Sequence, residues 1–482
     1  MLARHQFNSL ERWLYSEEVS RMDLSGIELG EELRGRELLR LLLQAHVEAR
    51  GDGDVGPCIE VFESGSSQTP AVYSHKRMHD RKVVTLFGEI RVNRMGYGSR
   101  GKISIHPLDE QLQLPGRLYS YELQRRLVRK AVQGPFDEAI EALCEATGVK
   151  MYKKTAEDIL IDASEDFDAF YACRQGDTGE ETGPILVGSI DCKGIPMIKS
   201  ELAPQKVRRG KGQKAQKKKM ATVAAVFTQE PRIRTAQEVV ESLFNPDETR
   251  KKKHDKKFKP QRKRVWASLK DGKDLFIKNV NEEMKRRDPE EKKIHVVVTD
   301  GERALQIRVM RTIKDVILIL DLLHVLEKLW TAGHALYGEG TQKAEDFVRE
   351  RALRILRGEV GQVVKGLRQI VTKRKLKGNK REKLCNVANY FYKNRARMRY
   401  DEYLAKGLPI ASGTVEGACK NLIKDRMERS GMRWGMEMAE AMVKMRAIYL
   451  SKDLDEYWHF HVKLDQERLY HRNRWKPKNA SS

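Results

Sequence analysis

The sequence has few cysteines and no long apolar run, and both absences narrow the class of protein. Its 482 residues include six scattered cysteines with no Cys-x-x-Cys pair, which argues against a zinc ribbon and a disulfide framework. The N-terminus lacks a basic head followed by an apolar core. The longest apolar run near a predicted strand, Val316 to Leu320, is far too short to span a bilayer. We therefore expect a cytoplasmic protein with no membrane partner.

Negative charge is also scarce relative to positive charge. The chain has 92 Lys and Arg residues against 69 Asp and Glu residues, a net charge of +23, which favours a polyanionic partner and nucleic acid first. Two short segments, Lys206 to Lys219 and Arg250 to Arg264, carry net charges of +8 and +9 and leave +6 for the rest. Such segments suit loops laid along a phosphate backbone, although solvated linkers or a localisation tag would have the same composition.

The first third of the sequence predicts a small DNA-binding region. The alternation over residues 82–97 predicts a β-hairpin that turns at Gly88. Apolar periodicity then predicts helices over 119–134, 136–147 and 154–171, with a turn at Gly148 between the last two. Two short helices around a glycine turn are typical of a helix-turn-helix, and an ordinary helical hairpin is the alternative.

The middle of the sequence predicts a sheet, and the last third predicts mainly helices. Four continuous β-branched runs are typical of central strands covered on both faces; they are residues 185–191, 221–227, 294–300 and 316–321. Residues 326–405 have helical periodicity, a further helix is predicted over 414–430, and the segment after Lys452 is charged and aromatic. The sequence therefore predicts an α/β domain interrupted by helices.

Three carboxylates stand at the junctions of these elements. Asp191 and Asp300 are each predicted to end a strand, and Glu416 lies just inside a predicted helix start. A carboxylate at the end of a buried strand is costly unless it is paired, and two on neighbouring strands would repel. Mg²⁺ prefers such oxygen ligands, and two ions can support an in-line displacement at phosphorus. A single strand-end Asp would equally suit an ordinary turn.

Several motifs containing these residues occur in a fixed order. They are Asp191-Cys-Lys-Gly, Thr299-Asp-Gly-Glu-Arg-Ala-Leu305, Asp321-Leu-Leu-His324, Ser412-Gly-Thr-Val-Glu-Gly-Ala-Cys-Lys420 and Ser430-Gly-Met-Arg-Trp434. Together they resemble the DDE transposases of bacterial insertion sequences, and most closely the ISKra group. The resemblance covers nearly the whole chain, and it includes Leu86-Phe-Gly, Met95-Gly-Tyr-Gly, His106-Pro-Leu-Asp109 and Phe136-Asp-Glu-Ala.

The resemblance implies a ribonuclease-H-like catalytic core, a mixed sheet flanked by helices, that is split by an all-α insertion. It implies that Asp191, Asp300 and Glu416 are the catalytic residues and hold two Mg²⁺ ions, for which Mn²⁺ can substitute. Asp321 and His324 match the Asp-x-x-His signature of such transposases and would support the site. Relatives often carry Cys-x-x-Cys zinc pairs before the hairpin, whereas this chain has only Cys58 there.

The implied partner is double-stranded DNA, at the element ends and at the target. Both ends must be brought together, so a homo-oligomer on DNA is expected, in the cytoplasm and associated with the nucleoid. The residues expected to contact DNA are Lys193, Lys420, Lys424, Arg208, Arg209, Lys217, Lys218, Lys251, Lys252 and Arg262. Lys420 and Lys424 would follow Glu416 on nearly the same helix face, although two ordinary solvated lysines would have this spacing.

The expected organisation has an N-terminal helical region, a hairpin and helix-turn-helix-like region, two parts of the catalytic domain around the insertion, and a basic tail. Their bounds are 1–70, 71–177, 184–325, 326–405, 406–450 and 451–482.

Three rival readings start from the same sequence. His459, His461 and Tyr470 mimic the metal pair and tyrosine nucleophile of single-strand transposases, but that motif needs a central strand and this segment is predicted to be helical. Loss of a triad carboxylate would have favoured a non-catalytic DNA-binding regulator derived from a transposase, but all three are present, which favours activity. A ribonuclease-H-like nuclease without strand transfer would use the same triad, and this alternative stays open.

Overall fold

The computed structural model describes residues 2–63, 70–174, 182–201, 217–245, 259–471 and 473–478. The chain forms two compact units: unit 1 is Met1–Tyr171 with Asp453–Ser482, and unit 2 is Ala172–Lys452. Unit 2 is therefore inserted into the sequence of unit 1. Among the described residues, no helix has both the length and the apolar character needed to cross a membrane.

The N-terminal part of unit 1 mixes helices with short strands. The helices are α1 (Leu2–Leu14), α2 (Glu17–Ser20), α3 (Leu24–Ala49), α4 (Pro107–Gln111), α5 (Tyr121–Ala131), α6 (Phe136–Thr147), α7 (Lys153–Ala163) and α8 (Phe167–Cys173). The strands are β1 (Ile59–Glu63), β2 (Ala71–Tyr73), β3 (His75–Thr85) and β4 (Gly88–Gly98).

The predicted β-hairpin is confirmed, and it is longer than the sequence pattern indicated. Strands β3 and β4 pair antiparallel from His75↔Gly98 to Thr85↔Gly88. Gly88 has a φ of +121°, which only glycine adopts easily, and the Thr85 hydroxyl donates to its carbonyl at 2.9 Å. The turn therefore lies at residues 86–87, immediately before Gly88.

The predicted helices after the hairpin are present, with one correction. Helix α6 ends at Gly148, whose left-handed φ of +70° makes the predicted turn. The single helix predicted over 154–171 is wrong, because the chain forms α7 and α8 with a break between them. At this break the carboxylate of Asp166 is buried and accepts hydrogen bonds from His461 at 2.7 Å and Arg468 at 2.7 Å.

Unit 2 is built on one mixed five-stranded sheet. Its strands are β5 (Ile185–Pro196), β6 (Lys218–Gln229), β7 (Gln261–Ser268), β8 (Ile294–Thr299) and β9 (Ile317–Leu320), in the order β7-β6-β5-β8-β9. β6 is antiparallel to β5 and β7, whereas β5, β8 and β9 are parallel. The four predicted strands are confirmed. β7 was not predicted, because its first half is basic and only its second half is buried.

Helices cover this sheet and extend beyond it. They are α9 (Ala236–Phe244), α10 (Lys273–Arg287), α11 (Arg303–Thr312), α12 (Leu322–Tyr337), α13 (Gln342–Leu356), α14 (Val360–Lys373), α15 (Gly378–Asn394), α16 (Tyr400–Ala405), α17 (Gly413–Ala418) and α18 (Met436–Ser451). One apolar core runs from β5, β8 and β9 into α12–α15. The helical periodicity predicted over 326–405 is confirmed.

The segment after Lys452, expected as a separate basic tail, belongs to unit 1. It folds into α19 (Leu454–Gln466), a π-helical turn over Glu467–His471, and β10 (Asn473–Pro477). β10 pairs antiparallel with β1, so the sheet of unit 1 has the order β10-β1-β2.

Candidate carboxylate site

Asp191 and Asp300 occupy corresponding places on two neighbouring strands of unit 2. β5 and β8 pair in parallel up to Ile190↔Thr299, and each aspartate is the next residue of its chain. Paired strands lie roughly 4.8 Å apart, so the two carboxylates lie side by side at the end of this ladder. The expectation that two strand-borne carboxylates come together is therefore met.

The expected strand end at Asp191 is wrong. β5 continues through Asp191 to Pro196, because β6 goes on pairing with it from Asp191↔Val223 to Pro196↔Lys218. Only the pairing with β8 ends at Asp191, and the strand itself does not. The side chain of Asp191 is therefore fixed by a continuous backbone ladder on one side and is open toward Asp300 on the other.

The electrostatics of the pair follow from burial and like charge. Burial raises the pKa of the Asp300 carboxyl above its usual range, and the negative charge of Asp191 raises it further. A hydrogen bond from the Glu302 amide to Asp300 Oδ1 at 2.9 Å and the nearby His324 act in the opposite direction. A positive charge bound between two half-buried carboxylates that repel each other would stabilise both.

Asp191 has its own supporting contacts. Its Oδ1 accepts from the Cys192 amide at 2.7 Å, and its Oδ2 accepts from the Cys419 thiol at 3.4 Å. Cys419 is buried just after α17, the helix that contains Glu416. Helix α17 also packs against β5 and β6. The backbone of the Glu416 helix is therefore held against the strand that carries Asp191.

The side chain of Glu416 lies outside the described residues, so the triad prediction is not tested at that position. Within the part of the chain that is described, no group of three or more His, Cys, Asp or Glu side chains is gathered as a metal site. The described part of the candidate site is therefore the pair Asp191 and Asp300, with the Glu416 backbone on the adjacent helix.

Asp321 has a structural place beside this pair. It follows β9, is fully buried, and caps α12 by accepting from the Leu323 amide at 3.0 Å. The same carboxylate accepts from the Ser412 hydroxyl and from the Ser412 amide, the latter at 3.2 Å. Asp321 therefore joins the edge of the sheet to the residue directly before α17.

His324 lies on the first turn of α12, between several carboxylates. Its Nδ1 is 3.3 Å from Glu327 Oε2, and its Nε2 is 4.0 Å from Asp321 Oδ2. The charge of His324 also acts on the pKa of Asp300, so the imidazole lies on the side of α12 toward the pair.

Of the three lysines predicted beside the carboxylate site, Lys193 lies on the strand that carries Asp191, and the other two lie after α17. Lys193 lies two residues after Asp191 on the same face of β5, half-buried, and its charge acts on Cys419. Lys420 and Lys424 are both exposed. The helix predicted over 414–430 is present as a continuous helical segment over 413–427, which contains a π-helical turn at Cys419–Lys424.

The predicted DNA contacts in the basic segments are described only in part. Lys217 is exposed, Lys218 forms an ion pair with Glu428 at 2.6 Å, and Arg262 is on β7 with a φ of +48°. The other predicted contacts lie outside the described residues; they are Arg208, Arg209, Lys251 and Lys252.

Several supporting residues near Asp300 were not predicted from the sequence. The Gln306 side chain donates to the Asp300 carbonyl at 3.0 Å and to Asn394 Oδ1 at 3.2 Å. A Cβ atom on Gly301 would lie 2.2 Å from the ring of Tyr390, so only glycine fits there. The glycine directly after Asp300 was the only signal of this close approach. Helix α15 therefore supports the loop that carries Asp300.

Two motifs singled out in the sequence take structural roles. Trp434 is buried and donates to the Met427 carbonyl at 3.0 Å, as expected of a core tryptophan. His459 and His461 lie on α19 rather than on a strand, and His461 is bound to Asp166. The single-strand transposase motif is therefore a chance match, as its helical context predicted.

Comparisons with known proteins give little further guidance. No protein-family model and no curated protein matches this sequence. Among solved structures, the chain is similar to the Drosophila P element transposase in its strand transfer complex, with a TM-score of 0.25 and 10% sequence identity. The alignment covers 71% of this chain and 80% of that chain. A TM-score of this size does not establish a common fold.

Proposed function

We propose that this protein is a DNA transposase of the DDE type, whose unit 2 is a ribonuclease-H-like catalytic domain with an all-α insertion. The observation that carries the proposal is the side-by-side placement of Asp191 and Asp300 at the end of the β5–β8 ladder. A mixed sheet in which only β6 runs in the opposite direction supports the fold. The order of the motifs in the sequence supports the activity.

The residues present suit Mg²⁺. Asp191 and Asp300 offer hard oxygen atoms. Burial, and to a smaller extent the charge of Asp191, raise the pKa of Asp300, so a bound divalent cation would stabilise its charged form. Glu416 would supply a third carboxylate from α17. When bound, Mg²⁺ or Mn²⁺ would neutralise charge on the reacting phosphate and favour ionisation of an attacking hydroxyl.

The protein's own residues would position the DNA strand. Lys193, on the same face of β5 as Asp191, would contact a non-bridging phosphate oxygen, and His324 would contact the same phosphate from α12. Asp321 and Ser412 would fix α17 against the sheet, which keeps Glu416 beside the pair. These roles amount to positioning and charge stabilisation without a covalent enzyme intermediate.

The proposed reaction has two displacements at phosphorus. Water attacks a phosphodiester at the element end, the P–O3′ bond breaks, and a free 3′-hydroxyl is released. That hydroxyl then attacks a target phosphodiester, forms a new P–O bond and displaces the target's own 3′-oxygen. Both element ends would be processed together, so we infer that a homo-oligomer acts on double-stranded DNA.

The test is a strand-transfer assay with the DNA that flanks the gene, in Mg²⁺, using wild type and the Asp191→Asn, Asp300→Asn and Glu416→Gln variants. We expect each variant to bind the DNA but to lose cleavage and joining by at least ~100-fold. Asp315→Asn is the matched control, because it makes the same chemical change at an exposed loop position whose φ of +51° asparagine tolerates.

The outcomes separate the proposed function from its alternatives. Cleavage without joining would favour a nuclease, and binding without cleavage by wild type would favour a regulator. Full activity of Glu416→Gln would remove Glu416 from the site.

A further inference from the structure

The helical insertion carries a third concentration of positive charge, in addition to the two basic segments described above. Residues 360–400 contain thirteen Lys and Arg residues against Glu382 alone, a net charge of +12. The expectation that two short loops carry most of the excess is therefore incomplete. Unlike most of those loops, this segment is described throughout, as α14, α15 and the turns around them.

The charge lies on the outside of a helical hairpin. Helices α14 and α15 pack against each other, and their apolar residues, such as Val364, Leu367 and Phe391, are buried in the core of unit 2. The Lys and Arg side chains of residues 365–395 are all exposed, and we call them the basic face. Its densest part is the tip between the helices, where six basic residues lie within residues 373–381.

The basic face is not neutralised by the protein itself. No side chain of the basic face forms an ion pair with any carboxylate that the structure describes, whereas Arg125 and Arg129 of unit 1 both pair with Asp455. A dense group of cations without internal partners is costly to hold together. Such a group is expected where a polyanion supplies the opposite charge.

An exposed aromatic side chain lies within the basic face. Tyr392 on α15 is 48% exposed, and its ring lies 4.3 Å from the Arg395 guanidinium and 5.4 Å from that of Arg368. Arginine beside an aromatic ring is a common arrangement for contacting nucleotides, because both groups stack on bases or sugars. An acidic peptide would gain little from such a ring.

The same turn of α15 reaches the carboxylate site. Asn394 accepts from Gln306, which also donates to the Asp300 carbonyl, and Tyr390 packs over Gly301. Tyr392 lies between these two residues in sequence and faces solvent. Tyr392 therefore lies on the opposite side of this turn, and this end of the basic face is separated from the Asp300 loop by roughly the 10–12 Å diameter of one helix.

A membrane surface does not suit this segment. A helix that lies in a lipid interface must insert an apolar face, and the apolar faces of α14 and α15 are buried in the core.

We propose that the basic face of α14–α15 binds the phosphate backbone of double-stranded DNA beside the carboxylate site. This proposal rests on the proposed function for the choice of DNA over other polyanions. Binding is through charge and is independent of base sequence, because the tip consists mainly of lysines.

The experiment measures binding of the full chain to a duplex that has no element sequence, between about 50 and 200 mM salt. The tip variant combines Lys373→Gln, Lys375→Gln, Lys377→Gln and Lys380→Gln. The control variant makes the same change in charge at four exposed lysines elsewhere in unit 2: Lys270→Gln, Lys314→Gln, Lys343→Gln and Lys406→Gln. All are compared in the Asp191→Asn background, so that cleavage does not interfere.

We expect the tip variant to bind at least ~10-fold more weakly, with the slope of log K against log salt reduced in magnitude by roughly 2–4. The affinity of the control variant should stay within about twofold of that of the Asp191→Asn parent.

Three results would overturn the proposal. The first is an equal loss of DNA affinity in the tip and control variants. The second is an unchanged slope of log K against log salt in the tip variant. The third is that poly-glutamate competes for the protein as strongly as unlabelled DNA does. The proposed function is tested separately: strand transfer can fail while the tip variant still loses affinity, or succeed while the tip variant binds like wild type.

Discussion

The hydroxyl of Ser412 donates a hydrogen bond to the carboxylate of Asp321 across 91 residues of sequence. The Ser412 amide donates to the same carboxylate at 3.2 Å, and so does the Leu323 amide at 3.0 Å. One buried group therefore holds the start of α12 and the start of α17 together.

This relationship predicts strong coupling between the two residues. Asp321→Ala leaves buried donors without a partner, so it should reduce the free energy of unfolding by about 3 kcal/mol, and Ser412→Ala should cost about 1 kcal/mol. The double variant should be less destabilised than the sum of the two by about 1 kcal/mol. Urea unfolding of the three variants measures the coupling, and strictly additive effects would contradict it.

Gly301 should tolerate no side chain while Tyr390 is in place. The Cβ of Gly301→Ala would overlap the Tyr390 ring, so we expect a loss of about 2 kcal/mol in the free energy of unfolding and a displaced Asp300. In a Tyr390→Ala background the same substitution should cost less than about 0.5 kcal/mol, because the ring is gone. Thermal unfolding gives both values, and equal costs in the two backgrounds would argue against the clash.

Glu283 should make the stability of unit 2 dependent on pH in the acid range. Burial raises the pKa of Glu283, but the charges of Arg264, Arg287 and Arg286 outweigh burial and lower it to about 2. The resulting stabilisation, about 3 kcal/mol, is fully present above the unfolded pKa near 4.5 and is lost as pH falls toward 2.

The Glu283→Gln variant tests this expectation. It should unfold at lower urea than wild type at pH 7, and the difference should shrink steadily below pH 4.5. Glu282→Gln, which removes an exposed carboxylate on the same turn, should leave the profile unchanged. A difference between Glu283→Gln and wild type that stayed constant with pH would show that packing rather than charge is responsible.

His106 should make unit 1 sensitive to mild acid. Burial, with the charges of Arg94, His79 and Arg81, lowers the pKa of His106 to about 4, and its Nε2 lies 2.8 Å from His79 Nδ1. The unfolded chain takes up this proton near pH 6.5 and the folded chain only near pH 4, so stability falls as pH drops through that window.

Hydrogen exchange of the β3–β4 amides at pH 7 and pH 5 measures this effect. We expect wild type to lose about 1–2 kcal/mol of protection after correction for intrinsic exchange, a value reduced because the site is partly solvated. His106→Gln should show a smaller loss, and His5→Gln, at an exposed position, should behave like wild type. An equal loss in His106→Gln would place the sensitivity elsewhere.

Local sequence patterns predicted the strands of unit 2 and the meeting of Asp191 with Asp300. Continuous β-branched runs identify buried strands. Asp191 and Asp300 meet because each is the next residue after the last β5–β8 pair, although β5 itself continues through Asp191. β7 was not predicted because its first half contains the basic residues 262–264, so its sequence does not show the continuous apolar run of a buried strand.

The supporting contacts could not be predicted in this way, because they join residues far apart in sequence. Neither Ser412 nor Asn394 belongs to a pattern that indicates its partner, and each finds it only when the insertion folds back on the sheet. The π-helical turn after Ala418 also has no local sequence signal. The charge of α14–α15 was not predicted because its lysines and arginines are spread over two helices and do not form one continuous basic segment.

The pairing of β10 with β1 has a consequence for how the chain is made. β1 emerges early from the ribosome, yet its partner strand at Asn473–Pro477 emerges only after all of unit 2 has been synthesised. Until then, one edge of β1 is open to other strands, including those of a neighbouring nascent chain. We expect a ribosome stalled within unit 2 to carry an N-terminal segment that is easily cleaved by protease, and that becomes resistant once residues 473–477 have left the ribosome.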